Sequence, residues 1–200
     1  MELRDAISQI SQIRMQMARA EKLRGLRAVP VGLSGVLALF AAMLQGVWVL
    51  DPVANTSQYL TIWLGAAILS AVTASLEMAA RCRVSGSGLT RSTVLLAVEQ
   101  FAPCVVAGAL VTFAVSSFAP ESFWILPGIW QVLFSLGLFA THRLLPRPIF
   151  WVAIFYMASG ILLLSLLRDQ ALSPWGMGLP FGVGQLVMAG VLYWTLERLP

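Results

Sequence analysis

The chain has 200 residues, 58% of them hydrophobic and 11% charged, with a formal net charge of +4. A soluble domain carries about a quarter charged residues, so this composition excludes an ordinary soluble fold and points to a membrane protein. The basic residues punctuate apolar runs instead of collecting on one polar domain, which excludes a nucleic-acid-binding module. With one histidine, His142, and two cysteines without metal spacing, Cys82 and Cys104, no metal, haem or other cofactor is expected.

Residues 1–28 read as a cytoplasmic amphipathic helix. Leu3, Ala6, Ile10, Ile13, Met17 and Ala20 form a seam at helical spacing, while Arg14, Arg19, Lys22, Arg24 and Arg27 thicken the charge toward the membrane. The segment is too polar for the core of a signal peptide. It suits the inner leaflet surface, or a helical contact with a second copy or a cytoplasmic partner. It has no aromatic residue for base stacking.

Residues 29–200 read as a six-span domain. Span one covers about Val29 to Leu50, with Pro30 in its first turn and a small-residue stripe of Gly35, Ala38, Ala42 and Gln45. Span two, about Tyr59 to Ala80, carries Ala66, Ser70, Thr73 and Glu77 on one face, and a basic Ser-Gly loop with Arg81, Arg83 and Arg91 follows. Span three, 93–117, contains Glu99-Gln100-Phe101-Ala102-Pro103. A proline inside a helix frees the carbonyl four residues earlier, here that of Glu99, so a main-chain oxygen and a carboxyl group need partners at one depth. Span four runs from about Ser122 to His142, span five from Ile149 to Leu167 and span six from about Leu179 to Glu197, after a polar turn over Arg168 to Gly178.

An even number of spans places both termini on the side of loops 81–92 and 143–148. That side holds every lysine and arginine except Arg168, which puts the termini in the cytoplasm. Trp48, Trp63, Trp124 and Trp175 would form an outer interfacial belt, with Trp151 and Trp194 at the inner one. Aligned on Gln131 and Gln185, spans four and six share Thr141/Thr195, Leu145/Leu199 and Pro146/Pro200. This suggests a repeated two-helix hairpin, three copies in all. The expected fold is therefore all-α: a polytopic membrane protein of six transmembrane helices, with a three-hairpin repeat and an N-terminal amphipathic helix.

The stretches IRMQMARAEKLRGLRAVPVGLSG, VLFSLGLFATHRLLPR and LPFGVGQLVMAGVLYWTLER resemble those of a group of bacterial six-transmembrane-helix proteins that has no established activity. The resemblance covers most of the chain and implies a multi-pass protein of the bacterial cytoplasmic membrane.

Glu99 and Glu77 are the acids inside spans. Glu77 stands four residues from Arg81, so an ion pair at the helix end is its plainer use. Glu99 has no such neighbour, and is either paired across the bundle or a site for proton coupling or for a cationic or hydrogen-bonding ligand. Gln45, Gln131 and Gln185 lie deeper, as helix–helix hydrogen bonds or as ligand contacts. Gly32-Leu33-Ser34-Gly35 matches the G-x-S-G string of rhomboid-type proteases, but it lies on the first span and His142 sits at a membrane edge, so an enzyme is not expected. Two functions remain. One is a small transporter or a solute- or lipid-binding membrane component, with dimensions like the substrate-binding subunits of vitamin-uptake transporters and an intramembrane polar site of Glu99, Glu77, Gln45, Gln131 and Gln185, kinked at Pro103. The other is a non-transporting regulatory or assembly protein acting through residues 1–28.

Overall fold

The apolar runs form helices because, out of water, a helix satisfies every main-chain polar group within its own segment. The computed structural model describes residues 27–85 and 88–198, without the side chains at 81, 82 and 84–94, so the expected amphipathic helix lies outside the described residues. No strand occurs among the described residues. The helices are α1 (Ala28–Trp48), α2 (Thr56–Ser85), α3 (Gly88–Phe118), α4 (Leu126–Thr141), α5 (Ile149–Ser165) and α6 (Pro174–Leu192). Short 3-10 turns cover Pro120–Ile125, His142–Leu144 and Arg168–Gln170, and a π turn, Tyr193–Glu197, closes α6.

Five of the helical stretches are long and apolar enough to cross a bilayer, and α5, with 17 residues, is a shorter apolar helix. The molecule thus has the architecture of a multi-pass membrane protein. Two helices exceed the sequence expectation. α2 and α3 have 30 and 31 residues, about 45 Å each at 1.5 Å per residue, against a hydrocarbon core of about 30 Å. The expected Ser-Gly loop over 81–92 is instead mostly helical, because arginines and serines end an apolar layer without ending a helix. α6 also begins earlier than expected. Ser173 caps it, its hydroxyl accepting from Gly176 N at 3.1 Å, and Pro174 occupies the first turn. Pro180 therefore lies inside the helix.

The helices follow one another around the bundle in chain order, and α6 returns to α1. Two seams are close. α1 packs on α6, and α4 on α5. Both use the same device. A Cβ at Gly35 of α1 would lie 3.0 Å from Gly182 O and 3.1 Å from Gln185 Cβ; one at Gly160 of α5 would lie 2.8 Å from Gly128 O and 3.1 Å from Gln131 Cβ. A Gly-x-x-Gln pair on α4 (Gly128, Gln131) and on α6 (Gly182, Gln185) thus seats a glycine of the next helix, which matches the repeat alignment on the two glutamines. The stripe Gly35, Ala38, Ala42 and Gln45 is buried throughout.

The third seam, α2 to α3, is sparse. A Cβ on Gly65 of α2 would meet nothing within 4 Å. From Leu64 to Val111 no described residue is fully buried. Ala66, Ser70, Thr73 and Glu77 do share one face, each half-buried, as are Ala74 and Met78 beside them.

The centre of the bundle is filled. Phe134 of α4 meets Phe101 of α3, Tyr156 of α5 and Phe181 of α6 at centroid separations of 5.4, 4.9 and 5.5 Å. Edge-on aromatic contacts of this kind add to the stabilisation from burial. A second cluster around Tyr59, Trp63, Phe123, Leu126 and Met177 fills the half away from the termini. At the other end, Glu197 caps α1 across the bundle, its Oε1 accepting from Ala28 N at 3.0 Å. Ala28 N is one of the four donors a helix start leaves unpaired, and a carboxylate there also meets the positive end of the helix dipole. The two ends of the described chain therefore lie together.

Candidate functional site

The intramembrane polar residues separate into two groups, one internal and engaged, the other on the perimeter. Gln45 is fully buried. Its Nε2 donates to Leu172 O at 2.8 Å and its Oε1 accepts from Trp63 Nε1 at 2.7 Å, tying α1 to α2 and to the turn before α6. Trp63 is accordingly buried in the core and is not part of an interfacial belt, whereas Trp48, Trp175, Trp151 and Trp194 are exposed at helix ends.

Gln131, also fully buried, donates through Nε2 to Gly176 O at 2.9 Å. The reason lies in Pro180. It has no N–H to give the carbonyl four residues back, and that carbonyl is Gly176. Gln131 supplies the missing donor from α4. Apolarity alone starts α6 at Leu179 and puts Pro180 in its first turn; Ser173-Pro174, a helix-opening pair, is the sequence signal for the earlier start and hence for this pairing. Gln131 Oε1 is buried without a hydrogen-bond partner. Gln185 is nearly buried and packs its Cβ over Gly35.

Other hydrogen bonds run between helices or within one, while Tyr59 OH and Gln100 Oε1 are buried without a hydrogen-bond partner. Trp130 Nε1 donates to Thr112 Oγ1 at 2.8 Å, Ser135 Oγ to Ala153 O at 2.7 Å, and Ser34 Oγ to Val31 O at 2.6 Å. Ser34 is thus bonded within its own helix, and Gly35 beside it faces α6. His142 Nδ1 lies 2.6 Å from Phe139 O at an exposed helix end.

The perimeter group centres on α3. Pro103 lies inside the helix and frees the Glu99 carbonyl, as Pro180 frees Gly176. Here no glutamine answers. The Glu99 side chain is exposed and has no hydrogen bond or ion pair among the described residues. Pro103, one turn away, is exposed on the same side. Glu99 stands about 28 Å along the helix axis from Phe118, roughly one hydrocarbon thickness. Its carboxyl group therefore belongs at an interface and not at the midplane. The structure does not bring Glu99 together with Gln45, Gln131 or Gln185. Glu77 is half-buried and partnered.

Two surface grooves accompany these residues. One, of about 450 Å³, lies at the end away from the termini, where the Arg168 guanidinium sits 4.4 Å over the Trp124 ring beside Asp169 and Ser173. The other, of about 360 Å³, runs between α5 and α6 and is apolar. No cluster of His, Cys, Asp or Glu that could hold a metal ion occurs among the described residues. Comparison with protein-family models, curated proteins and solved structures finds no match to this chain.

Proposed function

We propose that this chain is a multi-pass protein of the bacterial cytoplasmic membrane, with six spans and both termini inside, that binds a solute or lipid from its lipid-facing side. Glu99 and the carbonyl freed by Pro103 are the polar part of that site. The observation that carries the reading is the contrast between two prolines: the carbonyl freed by Pro180 is met by Gln131, while Glu99 and Pro103 are both exposed. Near an interface, this pair of acceptors suits a ligand that presents a cation or several N–H or O–H donors. The aromatic filling of the bundle centre favours binding over passage through the axis. Arginine placement supports the topology: all but Arg168 fall on the side of the termini. The likeness to bacterial six-span proteins agrees with it.

The sparse α2–α3 seam favours a second reading, a regulatory or assembly protein whose partner, or second copy, covers that face, with residues 1–28 as a further contact. Native mass spectrometry of the protein gently extracted from its own membrane, wild type beside Glu99→Gln, separates the two. A small molecule or particular lipid that co-purifies with wild type and is lost in the variant supports the binding reading. Equal retention in both contradicts it, and a second polypeptide or second copy on an otherwise empty protein moves the assignment to assembly.

A further inference from the structure

We propose that the groove between α5 and α6 seats one acyl chain of an anionic glycerophospholipid, with the lipid phosphate held by Arg147 and Arg198. The proposal rests on the membrane topology above and is independent of Glu99. The groove exists because each of its walls is committed elsewhere: α5 closes on α4 and α6 closes on α1. Between α5 and α6 a large side chain intervenes. Tyr156, fully buried, meets Phe181 at 5.2 Å with the rings tilted by 50°, and a Cβ at Gly184 would lie 2.5 Å from its ring. Gly184 lines the groove, and the Tyr156 ring packed against it is buried between the two helices. The walls are Trp151, Val152 and Phe155 on one side and Val183, Val187 and Val191 on the other. From Pro148 to Phe155 the groove extends about 10 Å, a large part of the roughly 15 Å that one leaflet occupies.

The charge lies at one end. Pro148 and Val191 mark the mouth, on the side of the chain termini. Arg147, directly before Pro148, is exposed. Arg198, directly after the π turn that closes α6 at the same end of the bundle, is exposed, with its guanidinium 4.0 Å over the Trp194 ring. Stacking fixes the guanidinium plane and leaves its N–H edges free for a phosphate. The neighbouring acid, Glu197, is turned to Ala28 N. Trp151 and Trp194, 70% and 60% exposed, flank the mouth as amphipathic rings do at headgroup level. An apolar slot that ends in two arginines fits an anionic lipid of the cytoplasmic leaflet better than a zwitterionic one.

The test is a native mass spectrometry titration of the detergent-purified full chain with phosphatidylglycerol or phosphatidylcholine of identical acyl chains. Wild type is expected to retain one phosphatidylglycerol in preference to phosphatidylcholine. The double variant Arg147→Gln, Arg198→Gln is expected to lose roughly tenfold or more of that preference, since each basic residue beside an anionic leaflet contributes on the order of a factor of five. Val187→Trp keeps both arginines but fills the slot, and is expected to lower retention of both lipids. None of these variants alters Glu99, so failure of the groove and failure of the Glu99 site are read by separate experiments. Equal retention of the two lipids by wild type, or an undiminished preference in the double variant, would overturn the proposal. So would displacement by soluble glycerol phosphate, which would leave an anion site without an acyl seat.

Discussion

Gln131 and Pro180 behave as one unit, since the amide matters only because the proline is there. Replacing Gln131 with Leu strands Gly176 O between α4 and α6, a loss of about 1 kcal/mol by the measured range for interhelical hydrogen bonds in membranes. In a Pro180→Ala background the regained N–H takes up that carbonyl within the helix, so the same Gln131→Leu change should cost close to nothing. Reversible unfolding of the four proteins in mixed micelles gives the coupling; an equal cost in both backgrounds would mean that Gln131 acts by packing alone. The polarity of Gln45 and Gln131 was legible from their position inside apolar spans. Their partners were not, because both donate to main-chain carbonyls, Leu172 O and Gly176 O, whose availability depends on where α6 begins. Glu99 was legible as an acid beside a kink, but the side of α3 that it faces is set by tertiary packing.

Among the helices, the sequence stripes told which faces turn inward and left open which helix each face meets. Gly35, Ala38, Ala42 and Gln45 could serve any close neighbour; the Gly-x-x-Gln spacing of α6 selects α1, and the same spacing on α4 selects α5. Gly178 belongs to the first seam, where an added Cβ would run into Ala42. Gly178→Leu should destabilise the purified protein by about 1–3 kcal/mol through overpacking. Gly65→Leu, on the sparse α2–α3 side, should be neutral or slightly stabilising, since glycine is a poor helix former. Thermal unfolding in detergent compares the two directly; a matching loss at Gly65 would show that α2 and α3 close in solution. Glu197→Ala removes the cap on α1 and should cost about 0.5–2 kcal/mol. Glu197→Gln keeps an acceptor oxygen and should recover part of that loss, measured in the same assay. Helix lengths were the weak point of the sequence reading. Polarity reports where an apolar layer stops, and α2 and α3 continue as helices past that point.

At the scale of the whole molecule, composition and the spacing of apolar runs were enough to give an all-helical multi-pass architecture, and the arginine distribution supplies the proposed orientation. What sequence could not show is that the ring of helices is filled along its centre by side chains from four different helices, since no local pattern marks Phe101, Phe134, Tyr156 and Phe181 as neighbours. The proposed function therefore lies on the perimeter. Its most direct test is cysteine accessibility in a variant lacking Cys82 and Cys104, comparing Glu99→Cys with Ser135→Cys, whose side chain is fully buried between α4 and α5. A small membrane-impermeant thiol reagent should modify position 99 in inside-out vesicles and not in intact cells, and should leave position 135 unmodified from either side. Modification at 135 would reveal a water-filled axis, and modification at 99 from the cell exterior would reverse the topology; either result would contradict the account.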